Sequence, residues 1–265
     1  MHKKWLINGT SNGIGRVMTE KLLSQGDFVF ATLRNTETLN DLQKKYPEQL
    51  KVEHLELTDK IEIQSAVDAA FNEFGKIDVV VSNAGYGLFG AVEELTDEMI
   101  SHQIEVNLLG AIRFIKAVIP HFRIQQGGHI IQVSSEGGQY AYPGFSLYHA
   151  SKWGIEGFVE SIAKDLEPFR IYCTIAQPGP TGTSFGTSIK TGKSMKVYEG
   201  TPVHELLKLI EEDSFGELDD VNDVSQAIIE STKKDLPPLR LTIGNVANTN
   251  VKAALTERLN WLSSK

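Results

Sequence analysis

Short β-branched runs alternate along this chain with longer stretches whose apolar residues recur at helical spacing. Trp5-Leu6-Ile7 predicts a strand, residues 14–25 a helix, 28–33 a strand, 36–45 a helix and Val52 to Leu57 a further strand. Helical periodicity over 61–74 precedes the strand-like run Ile77-Asp78-Val79-Val80-Val81. A long helical stretch covers about 97–125, and His129-Ile130-Ile131-Gln132-Val133 predicts another buried strand. From Leu147 a helix should run to about Glu167, where Pro168 stops it, followed by a strand at 171–176 and a Pro/Gly/Thr turn at 178–183. Regular β–α succession predicts an α/β fold, because parallel strands are joined by helical crossovers that cover both faces of the sheet. The rhythm breaks at 184–215, rich in Ser, Thr, Gly and Lys before an amphipathic piece at 203–212. Such an interruption is expected to be a lid or binding loop. A helix at 221–234, a strand at 239–243 and a helix near 250–262 complete the pattern. No linker or repeat divides it, so 1–265 reads as a single domain.

Composition narrows the function classes. Of 265 residues, 41% are apolar, as in an ordinary globular domain, and no run approaches the ~18 apolar residues of a membrane span. With 34 acidic against 26 basic side chains the net charge is −8, which opposes attraction to phosphate backbones, so neither membrane nor nucleic acid is an expected partner. The single cysteine, Cys173, cannot form an internal disulfide, and Asn8-Gly9 breaks the apolar stretch at the start before a signal peptide can be drawn. A cytoplasmic location is therefore expected. The seven histidines show no paired helical ligand spacing, so no metal is expected, and Cys173 in a strand reads as packing.

The first strand runs directly into Asn8-Gly9-Thr10-Ser11-Asn12-Gly13-Ile14-Gly15 and then a helix. Glycines permit a tight turn and close backbone approach, while the free amides and positive dipole end of the following helix stabilise anionic oxygens. Gly9, Ser11, Asn12, Gly13, Ile14 and Gly15 are thus candidate contacts for a diphosphate. The same residues satisfy the Gly-x-Ser-x-Gly form of a hydrolase nucleophile elbow, but only eight residues precede Gly9, too few for the upstream sheet and oxyanion loop that an elbow requires. About twenty residues on, at the end of the second strand, an acidic residue would bind a ribose 2′-hydroxyl. The chain instead has Ala31-Thr32-Leu33-Arg34, and the cationic fork of Arg34 suits a 2′-phosphate, which favours NADP(H) over NAD(H).

Tyr148 and Lys152 are four residues apart in a predicted helix, on one face, where a neighbouring ammonium favours phenolate and draws the phenol toward acid/base work. Thirteen residues before Tyr148, Ser134-Ser135 ends a strand at the carboxyl edge where ligands of open α/β sheets lie. His149, adjacent to Tyr148 but turned elsewhere on a helix, receives no role.

Taken together these segments resemble the short-chain dehydrogenase/reductases over nearly the whole chain. The family's Thr-Gly-x-x-x-Gly-x-Gly turn falls on Asn8 to Gly15, its Asn-Asn-Ala-Gly segment on Ser82-Asn83-Ala84-Gly85, and its Asn-containing helix on Val106-Asn107. Its serine, tyrosine and lysine fall on Ser135, Tyr148 and Lys152, and its Pro-Gly turn on Pro178-Gly179-Pro180-Thr181-Gly182-Thr183. The resemblance implies a single-domain, Rossmann-type doubly wound parallel sheet and reversible reduction of a ketone or aldehyde. Tyr148 would act as general acid, Ser135 would hold the substrate oxygen, Lys152 would bind the nicotinamide ribose, and Asn107 would order a relay water. It further implies that Asn83, Ala84 and Gly85 lie along the cofactor, with Glu56 and Leu57 near adenine. Pro178, Gly179, Thr181 and Thr183 would lie near the carboxamide and phosphates. Asn8 stands where the family has Thr, Ser82 where it has Asn, and Glu56 where it has Asp or Asn.

Tyr86, Phe89, Gln139, Tyr140, Tyr142, Phe145, Phe185, Met195 and Tyr198 are candidate pocket residues, with Gln139, Tyr142, Phe145 and Phe185 foremost. They suggest a small apolar carbonyl or alcohol substrate. The resemblance implies a homodimer or homotetramer built through the helices at 97–125 and 147–167. A non-catalytic NADP-binding sensor or scaffold is the alternative from another class, and the retained serine, tyrosine, lysine and asparagine argue against it.

Overall fold

The computed structural model describes residues 2–212 and 216–264. The first half of the chain runs β1 (Lys4–Asn8), α1 (Gly13–Ser24), β2 (Phe28–Leu33), α2 (Asn40–Lys45), β3 (Leu50–His54), α3 (Lys60–Phe74), β4 (Val79–Ser82) and a two-residue β5 (Leu88–Phe89). It continues through α4 (Asp97–Ile104), α5 (Ala111–Ile124), β6 (Gly128–Val133), α6 (Ser146–Leu166) and β7 (Ile171–Pro178). Then come a two-residue β8 (Lys190–Thr191), α7 (Pro202–Glu211), α8 (Val221–Ser231), β9 (Arg240–Ile243) and α9 (Asn245–Ser263). Seven strands form one parallel sheet in the order β3-β2-β1-β4-β6-β7-β9.

The strands are apolar on both faces because both are covered. Leu6, Phe30, Val80 and Ile130 join Phe71 of α3, Phe114 of α5 and Ile155 of α6, whereas Ile7, Ala31, Val81 and Ile131 pack with Met18 and Leu22 of α1 and Ile228 of α8. Each fully buried aliphatic side chain contributes about 1.5–3 kcal/mol, so these two layers hold the sheet. After β1 the chain moves outward to β2 and β3, then returns to place β4 on the other side of β1. The carboxyl ends of β1 and β4 therefore diverge at a topological switch point, the crevice where open α/β sheets bind ligands.

The structure differs from the sequence expectation in four places. β3 ends at His54 rather than 57, since Leu55 and Leu57 are buried against the α3/α5 layer from a loop, and their alternation imitates a strand. The stretch 97–125 is not one helix. Glu105–Gly110 widens into a π-helical turn between α4 and α5, a distortion often found beside functional sites. The final helix starts at Asn245, five residues early, where Gly244 turns the chain at a φ of +93°. β5 and β8, which pair Leu88 with Lys190 and Phe89 with Thr191, are too short to leave a pattern. The amphipathic piece expected at 203–212 is α7, while positions 213–215 lie outside the described residues.

Candidate active site

The glycine turn after β1 and the segment after β4 are packed against each other. Asn8 Oδ1 accepts the backbone N–H of both Asn83 and Ala84 at 2.7 Å, and Asn83 Nδ2 donates to the carbonyls of Asn8 (3.1 Å) and Gly9 (2.9 Å). The asparagine that replaces the family's threonine thus does the work of joining the two segments. A side chain at Gly9, where φ is +71°, would meet Ala84 at 2.8 Å, and a Cβ at Gly15 would lie 2.4 Å from the Gly9 carbonyl. Only glycine allows so close an approach. Asn12 precedes α1 without a side-chain hydrogen bond to the first turn, so the amino end of that helix remains open to an anion. Ser11 and Asn12 are exposed at its rim, and Thr183 reaches it from the other side, 3.5 Å from where a Gly13 Cβ would stand. This cradle of small residues and open amides fits a dinucleotide diphosphate.

Arg34 follows β2, exposed and without a hydrogen-bond or ion-pair partner among the described residues. Arg16, by contrast, is consumed by Glu20, Asp41 and the Thr38 carbonyl. Glu56 turns its carboxylate back to the Thr58 amide (3.3 Å), and Leu57 is buried in the core with its carbonyl against Gly110. At the far side of the crevice Pro178 ends β7. Gly179 donates to the Ile243 carbonyl (3.2 Å), and the Thr181 hydroxyl bonds back to the Gly179 carbonyl (2.9 Å).

Ser135, Tyr148 and Lys152 come together at the carboxyl edge of β6. Ser135 Oγ accepts the Gly137 amide (3.1 Å) and also shares a hydrogen bond with the Tyr148 side chain. Lys152 Nζ donates to the Val133 carbonyl at 3.1 Å and lies 5.7 Å from the Tyr148 ring centre. Burial pushes the Tyr148 phenol up to about 12, with the Ser135 hydrogen bond opposing and the carboxylates of Glu136 and Glu156 adding to the rise. Burial brings the Lys152 ammonium down to about 8, against the pull of Glu156. The sequence reading expected the cation to draw the phenol down. Burial instead shifts both groups toward their neutral forms.

Asn107 sits in the π-helical turn with its amide fully committed: Tyr86 N–H donates to its Oδ1 (3.0 Å) and its Nδ2 donates to the Tyr86 carbonyl (2.8 Å). The fully buried Gln103, one turn earlier, adds a second donor to that carbonyl at 3.2 Å. Asn107 therefore fixes the strand-end segment through its side chain, so any role in ordering water falls to its backbone.

Glu156, which sequence reasoning missed, backs the whole edge. It is 1% exposed and accepts hydrogen bonds from Ser134 Oγ (2.7 Å), Gln139 Nε2 (2.6 Å), Gln177 Nε2 (3.0 Å) and Arg240. Its signal was legible: Tyr148, Lys152 and Glu156 continue the four-residue spacing along α6. Gly138 must be glycine, since a Cβ there would fall 2.0 Å from Glu156 Oε1. His149 also has a use. Its Nε2 accepts the Tyr142 amide (2.8 Å), so Nδ1 carries the proton and donates to the Gly137 carbonyl (2.7 Å), tying the loop after Ser135 to α6.

Of the expected substrate residues, Phe145 is buried edge-on to Phe89 (5.0 Å) and Tyr148 (5.9 Å), and Phe185 approaches the Tyr148 ring at 5.7 Å. Tyr142 donates its hydroxyl to Glu136 (2.6 Å) and accepts from Asn250 (2.9 Å). Gln139 is engaged at both ends of its amide, by Glu156 and by Arg258. Tyr140 packs on Tyr142, and Tyr86 on His102. Met195 and Tyr198 face the loop after β5.

A cradle fit for a diphosphate at the switch point, beside a buried tyrosine and lysine and a half-buried serine, defines an α/β oxidoreductase of the dinucleotide-binding kind. The chain matches the short chain dehydrogenase family over residues 3–194 and belongs to it. It is 35% identical over 246 residues to Oxidoreductase BOA17 of Botryotinia fuckeliana, covering 92% of this chain and 89% of the other. A short-chain dehydrogenase from Streptomyces avermitilis superposes with a TM-score of 0.92 at 31% identity, over 99% and 95% of the two chains. A short chain dehydrogenase/reductase from Burkholderia phymatum, solved with NAD, shares the fold at a TM-score of 0.82 and 20% identity, over 95% and 92%. The family consists of nicotinamide-dependent oxidoreductases acting on alcohols and carbonyls. Among the described residues no helix is long and apolar enough to cross a membrane.

Proposed function

We propose that the protein reduces an apolar ketone or aldehyde with NADPH, or runs the reverse oxidation, with Tyr148 as the acid/base. The carrying observation is the placement of Tyr148: its buried phenol, hydrogen-bonded to Ser135, has Lys152 beside its ring and is walled by Phe145 and Phe185. The nicotinamide, when bound, supplies the hydride. Ser135 holds the substrate oxygen, and Tyr148 gives its proton to the alkoxide that develops there. Lys152, anchored on the Val133 carbonyl, offers its remaining protons to the nicotinamide ribose, and the turn from Gly9 to Gly15 seats the diphosphate.

Arg34, without a partner among the described residues where it follows β2, supports a 2′-phosphate and hence NADP(H). Residues 184–212 cover the site as a lid. Val203, Leu206, Leu207 and Ile210 of α7 gather with Phe185 around Phe89, Phe145 and Tyr148, which supports an apolar substrate. Reduction of a carbonyl panel, followed through NADPH absorbance, tests the proposal. Tyr148→Phe should lower turnover by about 10²–10⁴-fold, the usual size of a general-acid contribution, and leave NADPH binding intact. Activity unchanged by the substitution would sink the assignment, and binding without any turnover would favour the sensor alternative.

A further inference from the structure

The lid is held over Tyr148 by more than apolar packing. Its attachment post is the loop Ala91–Leu95 after β5, where Glu94 is buried with a side chain only 3% exposed. Both carboxylate oxygens are in use. Oε2 accepts the Ala91 amide of its own loop (2.8 Å), and Oε1 accepts the Met195 amide of the lid (2.7 Å). His204, in the first turn of α7, brings Nε2 to 3.6 Å from the same Oε1, and that nitrogen is buried with no hydrogen-bond partner among the described residues. Alongside, Tyr198 of the lid donates to Glu93 (2.5 Å), and β8 is stitched to β5 with Gly192 donating to the Phe89 carbonyl (2.9 Å).

We propose that Glu94 is a positioning residue: its carboxylate latches the lid over Tyr148 and so sets the affinity of the site for its apolar carbonyl substrate. The proposal rests on the carbonyl-reductase reading for the word substrate, and on geometry alone for the latch. A carboxylate has two acceptor oxygens, one for the body and one for the lid. A side-chain amide has only one, so glutamine at this place must turn an NH₂ toward one of the two backbone N–H groups. Met195 lies between β8 and α7, so its bond to Glu94 holds the lid midway between its paired strand and its apolar helix. His204 completes the device. At 3.6 Å its Nε2 is short of a hydrogen bond, which needs about 3 Å, and a slight inward movement of α7 over an occupied site makes that contact. Substrate binding and lid closure are thereby coupled through one buried carboxylate.

The test compares wild type, Glu94→Gln and His204→Leu, with NADPH and two apolar probes, benzaldehyde and decanal. Glu94→Gln should raise KM about tenfold, the cost of one charge-assisted hydrogen bond, with kcat within about twofold and NADPH affinity unchanged. His204→Leu should raise KM by a smaller factor. Amide hydrogen exchange over 190–204, read on the apoprotein, should quicken in Glu94→Gln while exchange in β1, β4 and β6 stays as in wild type. Unaltered exchange over 190–204 overturns the latch, as does a matched loss of kcat and NADPH affinity, which marks general damage to the fold. If wild type reduces neither probe nor any other carbonyl, the reductase reading fails, and the exchange comparison still decides the latch.

Discussion

Lys152 should cost the fold stability that its removal returns. The side chain is 6% exposed, and burial holds its ammonium at about 8, against 10.5 for a free lysine. The charged form is therefore disfavoured in the folded state by about 3 kcal/mol at pH 7. The hydrogen bond to the Val133 carbonyl (3.1 Å) offsets about 1 kcal/mol of what deletion would gain. Lys152→Met, which keeps the apolar stem and fills similar space, should then be more stable than wild type by about 2 kcal/mol at pH 7, while losing the proposed activity. The sign with pH follows from proton counting. Between about 8 and 10.5 the unfolded chain binds the proton that the folded chain has released, so this residue makes wild-type stability rise with pH across that window. The advantage of the variant should shrink by about 1 kcal/mol from pH 7 to pH 9. Urea unfolding of both proteins at the two pH values measures it. A variant no more stable than wild type at pH 7, or an advantage that does not change with pH, would show that the ammonium is well solvated and the reasoning wrong.

Two further substitutions probe other parts of the argument. Arg34→Asp should weaken NADPH binding by about 10–100-fold, the worth of a charge-assisted contact, and improve NADH binding, measured by fluorescence titration; an unchanged preference refutes the 2′-phosphate assignment. His129 lies buried in β6 at about 4, lowered by burial and by the Lys3 ammonium, and its Nε2 must donate to Thr174 Oγ1 because that hydroxyl already donates to the Pro238 carbonyl. Its folded value is depressed below 6.5, so the stability it contributes is complete above 6.5 and lost as pH falls toward 4. About 2 kcal/mol should go by pH 5 in wild type and be absent from that slope in His129→Gln, and equal slopes in urea unfolding would show that burial does not hold His129 neutral.

Much of this protein was decided locally and so was legible in the sequence. The β–α alternation follows from side-chain periodicity, which is a property of adjacent residues, and so does the strand–turn–helix context of Gly9, Gly13 and Gly15. The four-residue spacing of Tyr148 and Lys152 is likewise local, and the family resemblance added Asn107 and the Pro178-Gly179 turn. Tertiary structure alone decided what required two distant segments to meet. Leu55 and Leu57 alternate like a strand, yet the edge of the sheet releases them, and Asn107 in its π-helical turn meets the backbone of the distant Tyr86. Glu156 gathers four donors from three separated segments, and Glu94 meets the Met195 amide a hundred residues away. The direction of the tyrosine shift also depended on the fold: spacing announces a neighbouring charge, but burial sets how much water remains to solvate it, and here burial prevails.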